Sequence, residues 1–244
     1  KHYEEELKLI AENLKISNTT KDKMFSIIAH DLRGPIGNLK AMMELLLESP
    51  EEFEASEITE IISSLKESSV STYDLLENLL NWAKSQQGLV EYIPDIHDIN
   101  AIIENTISTQ ILNAENKKIK IFNEIPPKIK VICDVNMIKT VLRNLISNAI
   151  KFTKEGGKIT ISHKLTDGQI IISVKDSGVG IEEKNLTKIF SGKEFFSTYG
   201  TNREKGSGLG LILCKEFVIK NNGKIWAEST PGEGSTFYFS LKLN

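Results

Sequence analysis

The stretch that decides the fold of the C-terminal part is DVNMIKTVLRNLISNAIKF, residues Asp134–Phe152. Aspartate is favoured just before a helix, where its carboxylate accepts hydrogen bonds from free backbone N–H groups. Val141, Leu145 and Ile146 recur at helical spacing and fall on one side. The sequence therefore predicts an α-helix over Val135–Phe152, capped by Asp134 and buried along one side.

The other side of this predicted helix is polar. Asn144, Asn148 and Lys151 follow one another at spacings of four and three residues, which places them on one face. Asparagine is a poor helix former, so two of them on one face require an explanation. An amide oxygen suits Mg²⁺, and a lysine can meet a phosphate oxygen as a point charge. The alternative is that these residues are only the solvated side of an amphipathic helix.

Strands and further helices flank this helix. The segment Lys158–Lys175 alternates apolar and polar residues on both sides of Asp167-Gly168, a pair typical of a hairpin turn. The predicted helices are Ile99–Glu115, Val135–Phe152 and Leu209–Lys220, and the predicted strands are Lys118–Asn123, Lys130–Cys133, Lys158–Leu165, Gln169–Lys175, Lys224–Glu228 and Ser235–Lys242. Because helices and strands are interleaved, we expect an α+β two-layer sandwich with helices on one face of a mixed sheet.

Two glycine-rich segments stand beside these elements. Asp176–Gly180, DSGVG, follows a predicted strand, and Gly206–Gly210, GSGLG, precedes a predicted helix. Neither matches the P-loop or the dinucleotide-binding fingerprint. Glycine lets backbone N–H groups approach an anion, and a helix N-terminus adds unpaired donors. Each cluster taken alone fits an ordinary turn equally well.

A long stretch between Phe190 and Gly208 is rich in Gly, Ser, Thr and Lys and has little periodicity. Such a segment inside a compact domain is more often a functional lid than a structural connection. We therefore expect a lid here, directly before the second glycine cluster.

The composition divides the chain into a helical part and the interleaved part. Leu7, Ile10 and Leu14 keep a short heptad pattern, which predicts a coiled-coil lead-in over residues 1–21. Residues 22–90 predict an all-α helical hairpin, with a second helix from about Glu54 to Gln87. A lone hairpin cannot bury both apolar stripes, so we expect a homodimer in which two hairpins form a four-helix bundle. The α+β domain is predicted over residues 95–244.

The first helix of this hairpin carries FSIIAHDLRGPIGNLK, residues Phe25–Lys40. Its apolar residues recur at steps of three and four, and His30 and Asp31 stand just off that stripe. Pro35 removes the N–H that would bond to the carbonyl of Asp31, so we expect a weakened helix within a turn of His30. A histidine beside an acid is, by itself, more often an incidental surface pair than a site.

In combination, these motifs resemble the sensor histidine kinases. An Asn-x-x-x-Asn helix, Asp-x-Gly-x-Gly, a lid and Gly-x-Gly-x-Gly occur in the order of the ATP-binding domain shared by these kinases, gyrase and related ATPases. Phe190, Phe195-Phe196 and Gly232–Thr236, GEGST, also resemble the kinases. Phe-x-x-x-x-His-Asp-Leu-Arg-x-Pro, starting at Phe25, resembles the signature around their phospho-accepting histidine. The resemblance covers nearly all of residues 20–243.

The resemblance implies an ATP-dependent protein histidine kinase with ATP and Mg²⁺ as cofactors. Asp176 would accept a hydrogen bond from the adenine amino group, and Asn148 would hold Mg²⁺ with Asn144 close by. His30 would receive the phosphoryl group, with Asp31 holding or removing its second ring proton, and would pass it to an aspartate on a response-regulator receiver domain. The other nucleotide-binding residues implied are Lys151, Gly178, Gly180, Lys205, Gly206, Gly208, Gly210 and Thr236.

Gly34, four residues after His30, departs from the family pattern. Many relatives have Thr or Asn at this position, thought to orient water for dephosphorylating the partner. Glycine offers no side-chain donor or acceptor. We therefore expect weak or absent phosphatase activity toward the partner.

The composition of the chain limits other functions. A net charge of −3 gives no support to general nucleic-acid binding, and two cysteines make neither a disulfide framework nor a metal cluster, which indicates a reducing compartment. No apolar run is long enough to cross a bilayer, and no secretory signal is present. We expect a cytoplasmic piece of a longer protein, without membrane contact of its own, whose upstream sensor domain can be membrane-anchored.

Two other functions are compatible with parts of the sequence. One is a non-catalytic signalling scaffold in which the nucleotide only sets the shape; the glycine clusters and Asn148 argue against it. The other is a gyrase-type ATPase clamp, which the helical hairpin carrying His30 disfavours.

Overall fold

The computed structural model describes Tyr3, Glu6, Ala11, Ala29 and Glu204, residues 32–48, 53–191, 198–202 and 208–244, except the side chains of Glu67 and Asp74. The chain forms two compact units, Lys1–Asn81 and Trp82–Asn244. The predicted coiled-coil positions Leu7, Ile10 and Leu14 lie outside the described residues, and the predicted domain limits stay a prediction. None of the helices in the described part is long and apolar enough to span a membrane.

The first unit contains the predicted helical hairpin. Residues 32–48 are helical (α1), with Pro35 inside the helix, and α2 is Ala55–Gln86. Ser68 Oγ on α2 donates a hydrogen bond to the carbonyl oxygen of Pro35 at 3.3 Å. Half-buried or buried side chains recur at intervals of seven along α2, at Ile61, Ser68 and Leu75, which is the spacing of packed helices.

The second unit interleaves strands with helices. Its elements in chain order are β1 Asp95–Asp98, α3 Ile99–Asn116, β2 Lys120–Asn123, β3 Lys130–Cys133, α4 Val135–Phe152, β4 Lys158–Thr166, β5 Gln169–Asp176, α5 Glu183–Leu186, α6 Gly210–Lys220, β6 Ile225–Thr230 and β7 Gly234–Leu243. The strands form a seven-stranded sheet of order β1-β3-β7-β5-β4-β2, with β6 paired to β7. β2 and β4 are parallel and the other pairs antiparallel. The predicted fold class, a helical hairpin followed by an α+β sandwich with a mixed sheet, is confirmed.

The core of the second unit lies between the sheet and α4. α4 contacts α3, α6 and β5, and its apolar side is buried along the whole helix, at Met137, Ile138, Val141, Leu142, Leu145, Ile146, Ala149 and Ile150. Every second residue of β5 from Ile170 to Asp176 is buried, as expected for a strand with one face on a core. Full burial of an aliphatic side chain contributes roughly 1.5–3 kcal/mol, so this helix anchors the domain.

Asp134 ties the start of α4 to two other parts of the unit. Its Oδ1 accepts from the backbone N–H groups of Asn136 and Met137, at 3.0 and 3.1 Å. Its Oδ2 accepts from the N–H of Ile93 at 3.0 Å, and its own N–H donates to Asn221 Oδ1 at 2.8 Å. The predicted N-cap is thus confirmed, and the same buried carboxylate also holds the segment that precedes β1.

Replacing Asp134 with Ala should lower the free energy of unfolding of the second unit by about 2 kcal/mol, because a cap and a further hydrogen bond are lost. Asp134→Asn is the matched control, because an amide oxygen still caps α4 while the bond from Ile93 is lost. In urea unfolding of the full chain, the loss of unfolding free energy for Asp134→Asn should be about half the loss for Asp134→Ala. Equal losses for Ala and Asn would contradict the capping role.

Candidate functional site

The carboxylate of Asp176 is buried at the end of β5, where the residue is 3% exposed. Its Oδ1 accepts hydrogen bonds from the backbone N–H groups of Gly178 at 2.8 Å and Ser235 at 3.2 Å. Burial raises the pKa of this carboxyl above its ordinary value, and the two N–H donors partly oppose that rise. Both hydrogen bonds that the described residues make to the carboxylate reach Oδ1. Oδ2 is therefore the oxygen left for a ligand with a donor group.

Three glycines allow the backbone to close around this carboxylate. A Cβ on Gly178 would lie 2.4 Å from the carbonyl oxygen of Phe152, and one on Gly234 would lie 2.1 Å from that of Asp176. Gly180 has φ +71°, in the left-handed region, and a Cβ there would lie 2.2 Å from the carbonyl oxygen of Thr230. Any side chain at these positions would displace the backbone, so the loop after β5 requires glycine for steric reasons.

Ser235, rather than the predicted Thr236, lies beside Asp176. Successive residues of a strand point to opposite faces, and directly paired residues share a face. Thr236 pairs with Lys175 on β5 and Glu228 on β6, so its side chain lies on the face away from α4. Ser235 is buried on the Asp176 side, and its Oγ lies 2.9 Å from Ser229 Oγ. Sequence reasoning missed Ser235 because only the strand register separates the two neighbours.

The polar face of α4 brings Asn144, Asn148 and Lys151 together. Asn144 Nδ2 donates to the carbonyl oxygen of Thr140 at 3.0 Å, which leaves its Oδ1 facing Gly210, where a Cβ would lie 2.5 Å from that oxygen. Asn148 is half-buried, and no hydrogen bond to its side chain is found within the described ranges. The end of this helix adjoins the Asp176 loop, because the N–H of Val179 donates to the carbonyl oxygen of Phe152 at 3.1 Å.

Lys151 lies at the C-terminal end of that face. It is half-buried, and its Nζ donates to the carbonyl oxygen of Thr198 at 3.2 Å and lies 4.8 Å from the centre of the Phe152 ring. Burial lowers the pKa of the Lys151 ammonium, the carboxylate of Glu204 raises it, and the positive charge of Lys117 lowers it. The residue is therefore a cation held close to other charges.

The second glycine cluster leads into α6. Gly208 has φ +70°, in the left-handed region, and α6 begins at Gly210, against Asn144. The predicted residues Lys205 and Gly206, together with Arg203, Phe195 and Phe196, lie outside the described residues.

Within the predicted lid, the structure describes residues 198–202 and Glu204, and hydrogen bonds hold these residues at the end of α4. The N–H of Thr201 donates to the carbonyl oxygen of Lys151 at 3.0 Å, and Lys117 Nζ lies 2.8 Å from Glu204 Oε1. The described residues of the predicted lid are therefore held against the domain by hydrogen bonds. Sequence reasoning missed Lys117, Thr201 and Glu204, since no short-range spacing links them.

The helix of the first unit presents small and exposed residues near the predicted phospho-acceptor. His30 and Asp31 lie outside the described residues. Ala29 before them and Arg33 and Gly34 after them are exposed. A Cβ on Gly34 would contact nothing within 4 Å. These three described residues are therefore accessible to another protein.

Two family models match the chain. Residues 133–244 match the histidine kinase-, DNA gyrase B- and HSP90-like ATPase domain, and residues 20–88 match the His Kinase A (phospho-acceptor) domain. The adaptive-response sensory kinase SasA of Crocosphaera subtropica is 31% identical over 97% of this chain and 63% of its own length. The chain thus spans about three fifths of the length of the SasA proteins that it matches.

Solved structures agree with this match. The catalytic domain of histidine kinase ThkA is 32% identical, with a TM-score of 0.53 over 63% of this chain and 96% of its own. ThkA in complex with the response regulator protein TrrA has a TM-score of 0.63 at 24% identity, over 91% of this chain and 61% of that one; this second likeness shows the fold. The chain belongs to the sensor histidine kinases, with a phospho-acceptor domain followed by a gyrase-like ATPase domain.

Proposed function

We propose that this chain phosphorylates its own His30 from ATP and passes the phosphoryl group to an aspartate on a response-regulator receiver domain. The observation that carries this proposal is the carboxylate of Asp176, whose Oδ1 is held by two backbone N–H groups. The loop that follows it packs against the end of α4, within a domain that matches an ATPase family. A fixed acceptor next to a lysine and two amides suits a ligand with an amino group at one end and phosphates at the other.

Asp176 selects the base in this proposal. The exocyclic amino group of adenine donates hydrogen bonds, and Oδ2 of Asp176 is the acceptor that the described residues leave available. Guanine carries a carbonyl oxygen at the corresponding position, which a carboxylate repels. Gly178 and Gly180 let the loop beside this carboxylate pack closely against Phe152 and Thr230, and Ser235 supports this proposal better than Thr236 because it shares the face of Asp176.

The phosphates and Mg²⁺ would lie along α4. Asn148 fits a magnesium ligand, because its amide is half-buried and makes no hydrogen bond with the described residues. Asn144 Oδ1 lies close by, one turn earlier, and Lys151 supplies positive charge. Bound Mg²⁺ would neutralise phosphate charge. Lys205, Gly206, Gly208 and Gly210 remain predicted phosphate contacts.

In this proposal the phosphoryl group moves in two steps, first to His30 and then to the receiver domain. A ring nitrogen of neutral His30 attacks the γ-phosphorus, the bond between that phosphorus and the β–γ bridging oxygen breaks, and ADP leaves. Asp31 takes or shares the second ring proton, which keeps the imidazole nucleophilic. In the second step a carboxylate oxygen of the receiver domain attacks the same phosphorus, and neutral His30 is regenerated. ThkA was solved in complex with a response regulator, which supports this class of partner.

The phospho-acceptor domain implies a dimer, and we propose a four-helix bundle for its form. A second apolar stripe on α2 is 42–63% exposed within one chain, at Ile62, Tyr73, Leu76 and Leu80. Exposed apolar residues that share one face of a helix mark an interaction face. Pairing with a second hairpin would bury this stripe.

Incubation with Mg-ATP labelled at the γ-position should give acid-labile, base-stable phosphate on the wild-type chain, mapped to His30. His30→Gln should abolish the label, since an amide cannot take the phosphoryl group, while ATP binding is retained. His2→Gln, a second histidine in the same unit, is the control and should label like wild type. Label persisting in His30→Gln would refute the assignment.

Asp176→Asn should weaken ATP binding by at least about ten-fold, because the amide oxygen keeps the backbone hydrogen bonds and turns an N–H donor toward the adenine amino group. Calorimetric titration with ATP and GTP would also show a reduced preference for ATP. Lys175→Gln, the neighbouring residue on the opposite face, should bind like wild type. Unchanged ATP affinity in Asp176→Asn would argue against base recognition by this carboxylate.

Gly34→Thr should gain the ability to release phosphate from the phosphorylated partner without ADP, because a side-chain hydroxyl is added where the described residues leave room. Gly37→Thr is the control, since its Cβ also meets nothing within 4 Å. The rate of phosphate release should rise only for Gly34→Thr. Rapid release by the wild-type chain would show that Gly34 does not limit this activity.

A further inference from the structure

Four oxygen atoms surround the ammonium group of Lys117. Two belong to the end of α4, and two belong to Thr201 and Glu204. Lys117 follows α3 and is 6% exposed. Its Nζ lies 2.7 Å from Thr201 Oγ1, 2.8 Å from Glu204 Oε1 and 3.0 Å from each of the carbonyl oxygens of Ile150 and Lys151. An ammonium has three protons, so one is shared between two of the four oxygens. A buried charge is costly unless it is paired and hydrogen-bonded, and this one is both.

Two of these oxygens belong to the last turn of α4. The final carbonyl groups of a helix have no partner within the helix and carry the negative end of its dipole. Lys117 therefore caps α4 from the end of α3. The N–H and Oγ1 of Thr201 donate to the carbonyl oxygen of Lys151 as well, at 3.0 and 3.1 Å, so Lys117 and Thr201 together hold the main chain of Lys151.

The other two oxygens belong to Thr201 and Glu204, in a turn whose described residues are 200–202 and Glu204 and which is built around the Glu204 carboxylate. Glu204 Oε1 accepts from Lys117 and Oε2 accepts from the N–H of Asn202 at 2.8 Å. The N–H of Gly200 donates to the carbonyl oxygen of Glu204, also at 2.8 Å. Burial opposes ionisation of this carboxyl, but the hydrogen bonds and charge of Lys117 and the backbone donors hold its pKa below the ordinary value.

The side chain of Lys151 lies on this turn. A Cβ on Gly200 would lie 2.6 Å from Lys151 Cγ and 2.3 Å from Glu204 Oε2. Only glycine therefore lets the side chains of Lys151 and Glu204 lie this close to the backbone of residue 200. Lys151 Nζ donates to the carbonyl oxygen of Thr198, just before the turn. Lys117 thus fixes both the main chain of Lys151 and the surface against which its side chain packs.

We propose that Lys117, paired with Glu204, is a positioning residue that sets the place of the Lys151 ammonium for the phosphates of ATP. The inference rests on the proposed function, which gives Lys151 its phosphate contact. Lys117 does not contact the nucleotide itself, because its own ammonium is surrounded by four protein oxygens. Asp176, which selects the base, is not among its partners. The loss of Lys117 should therefore weaken phosphate binding and spare base binding.

Dissociation constants for ATP and for adenosine separate these two effects. In Lys117→Met and in Glu204→Gln, affinity for ATP should fall about ten-fold. Glu204→Gln leaves the buried Lys117 ammonium without its carboxylate, and Lys117→Met removes the donor to the two carbonyl oxygens of α4 and to the half-buried Glu204. Affinity for adenosine, measured by NMR titration, should stay unchanged. The double variant should lose less than the sum of both, because the pair acts as a unit. Lys118→Met is the control, since this adjacent lysine pairs with Glu155 at the surface.

Amide hydrogen exchange gives a second measurement that does not depend on nucleotide. The N–H groups of Gly200, Thr201 and Asn202 should exchange faster in Lys117→Met and in Glu204→Gln, and Lys118→Met should match wild type. If Lys117→Met does not fold, Glu204→Gln tests the same pair.

Equal weakening of ATP and adenosine would show general damage to the domain and overturn the inference, as would unchanged ATP affinity. A wild-type chain that binds adenosine but gains nothing from the phosphates would instead refute the proposed role of Lys151. A wild-type chain that binds neither ligand would refute the proposed function. The exchange rates would still report whether Lys117 holds the turn.

Discussion

The close approach of three backbone segments around the Asp176 carboxylate is the constraint on which the site depends. The loop after β5, the last turn of α4 and the start of β7 meet there at distances that exclude a Cβ at Gly178 and Gly234. The N–H groups of Gly178 in the loop and Ser235 in β7 fix one carboxylate oxygen, and the other is left for a ligand. The burial that raises the pKa of this acid is tolerated because the backbone supplies the compensating donors.

One side of α4 packs in the core, and the other side carries the polar residues of the site. Its apolar side is buried from Met137 to Ile150, so the helix cannot rotate without exposing the centre of the domain. That rigidity fixes the directions of Asn144 and Asn148, which would otherwise be free surface amides. The helix ends also determine the site: Asp134 fixes the start, and the end lies against the Asp176 loop. Precise polar geometry here is therefore a consequence of core packing.

Features that depend on local sequence patterns are predicted from the sequence. Features that depend on strand register or on contacts distant along the chain are not. α4 begins and ends as predicted, because Asp134 and an unbroken apolar period mark it. β1, Asp95–Asp98, was missed since two of its four residues are acidic and only its pairing with β3 makes it a strand. Ser235 and Thr236 are distinguished by strand register alone. Lys117 was missed because its four partners lie 33 to 87 residues away along the chain.

α6 connects the site to the segment that precedes the ATPase domain. Its first residue, Gly210, packs against Asn144, while Glu216 two turns later accepts a hydrogen bond from Gln86 Nε2 at 2.6 Å. Lys220 Nζ, at its end, donates to the carbonyl oxygen of Val90 at 2.5 Å. Burial raises the pKa of Glu216, and hydrogen bonds from Ser85 and Gln86 and the charge of Lys220 partly oppose that rise. One helix therefore contacts the polar face of α4 at its first residue and residues 86–90 along its second half, so these two parts of the domain share a single supporting element.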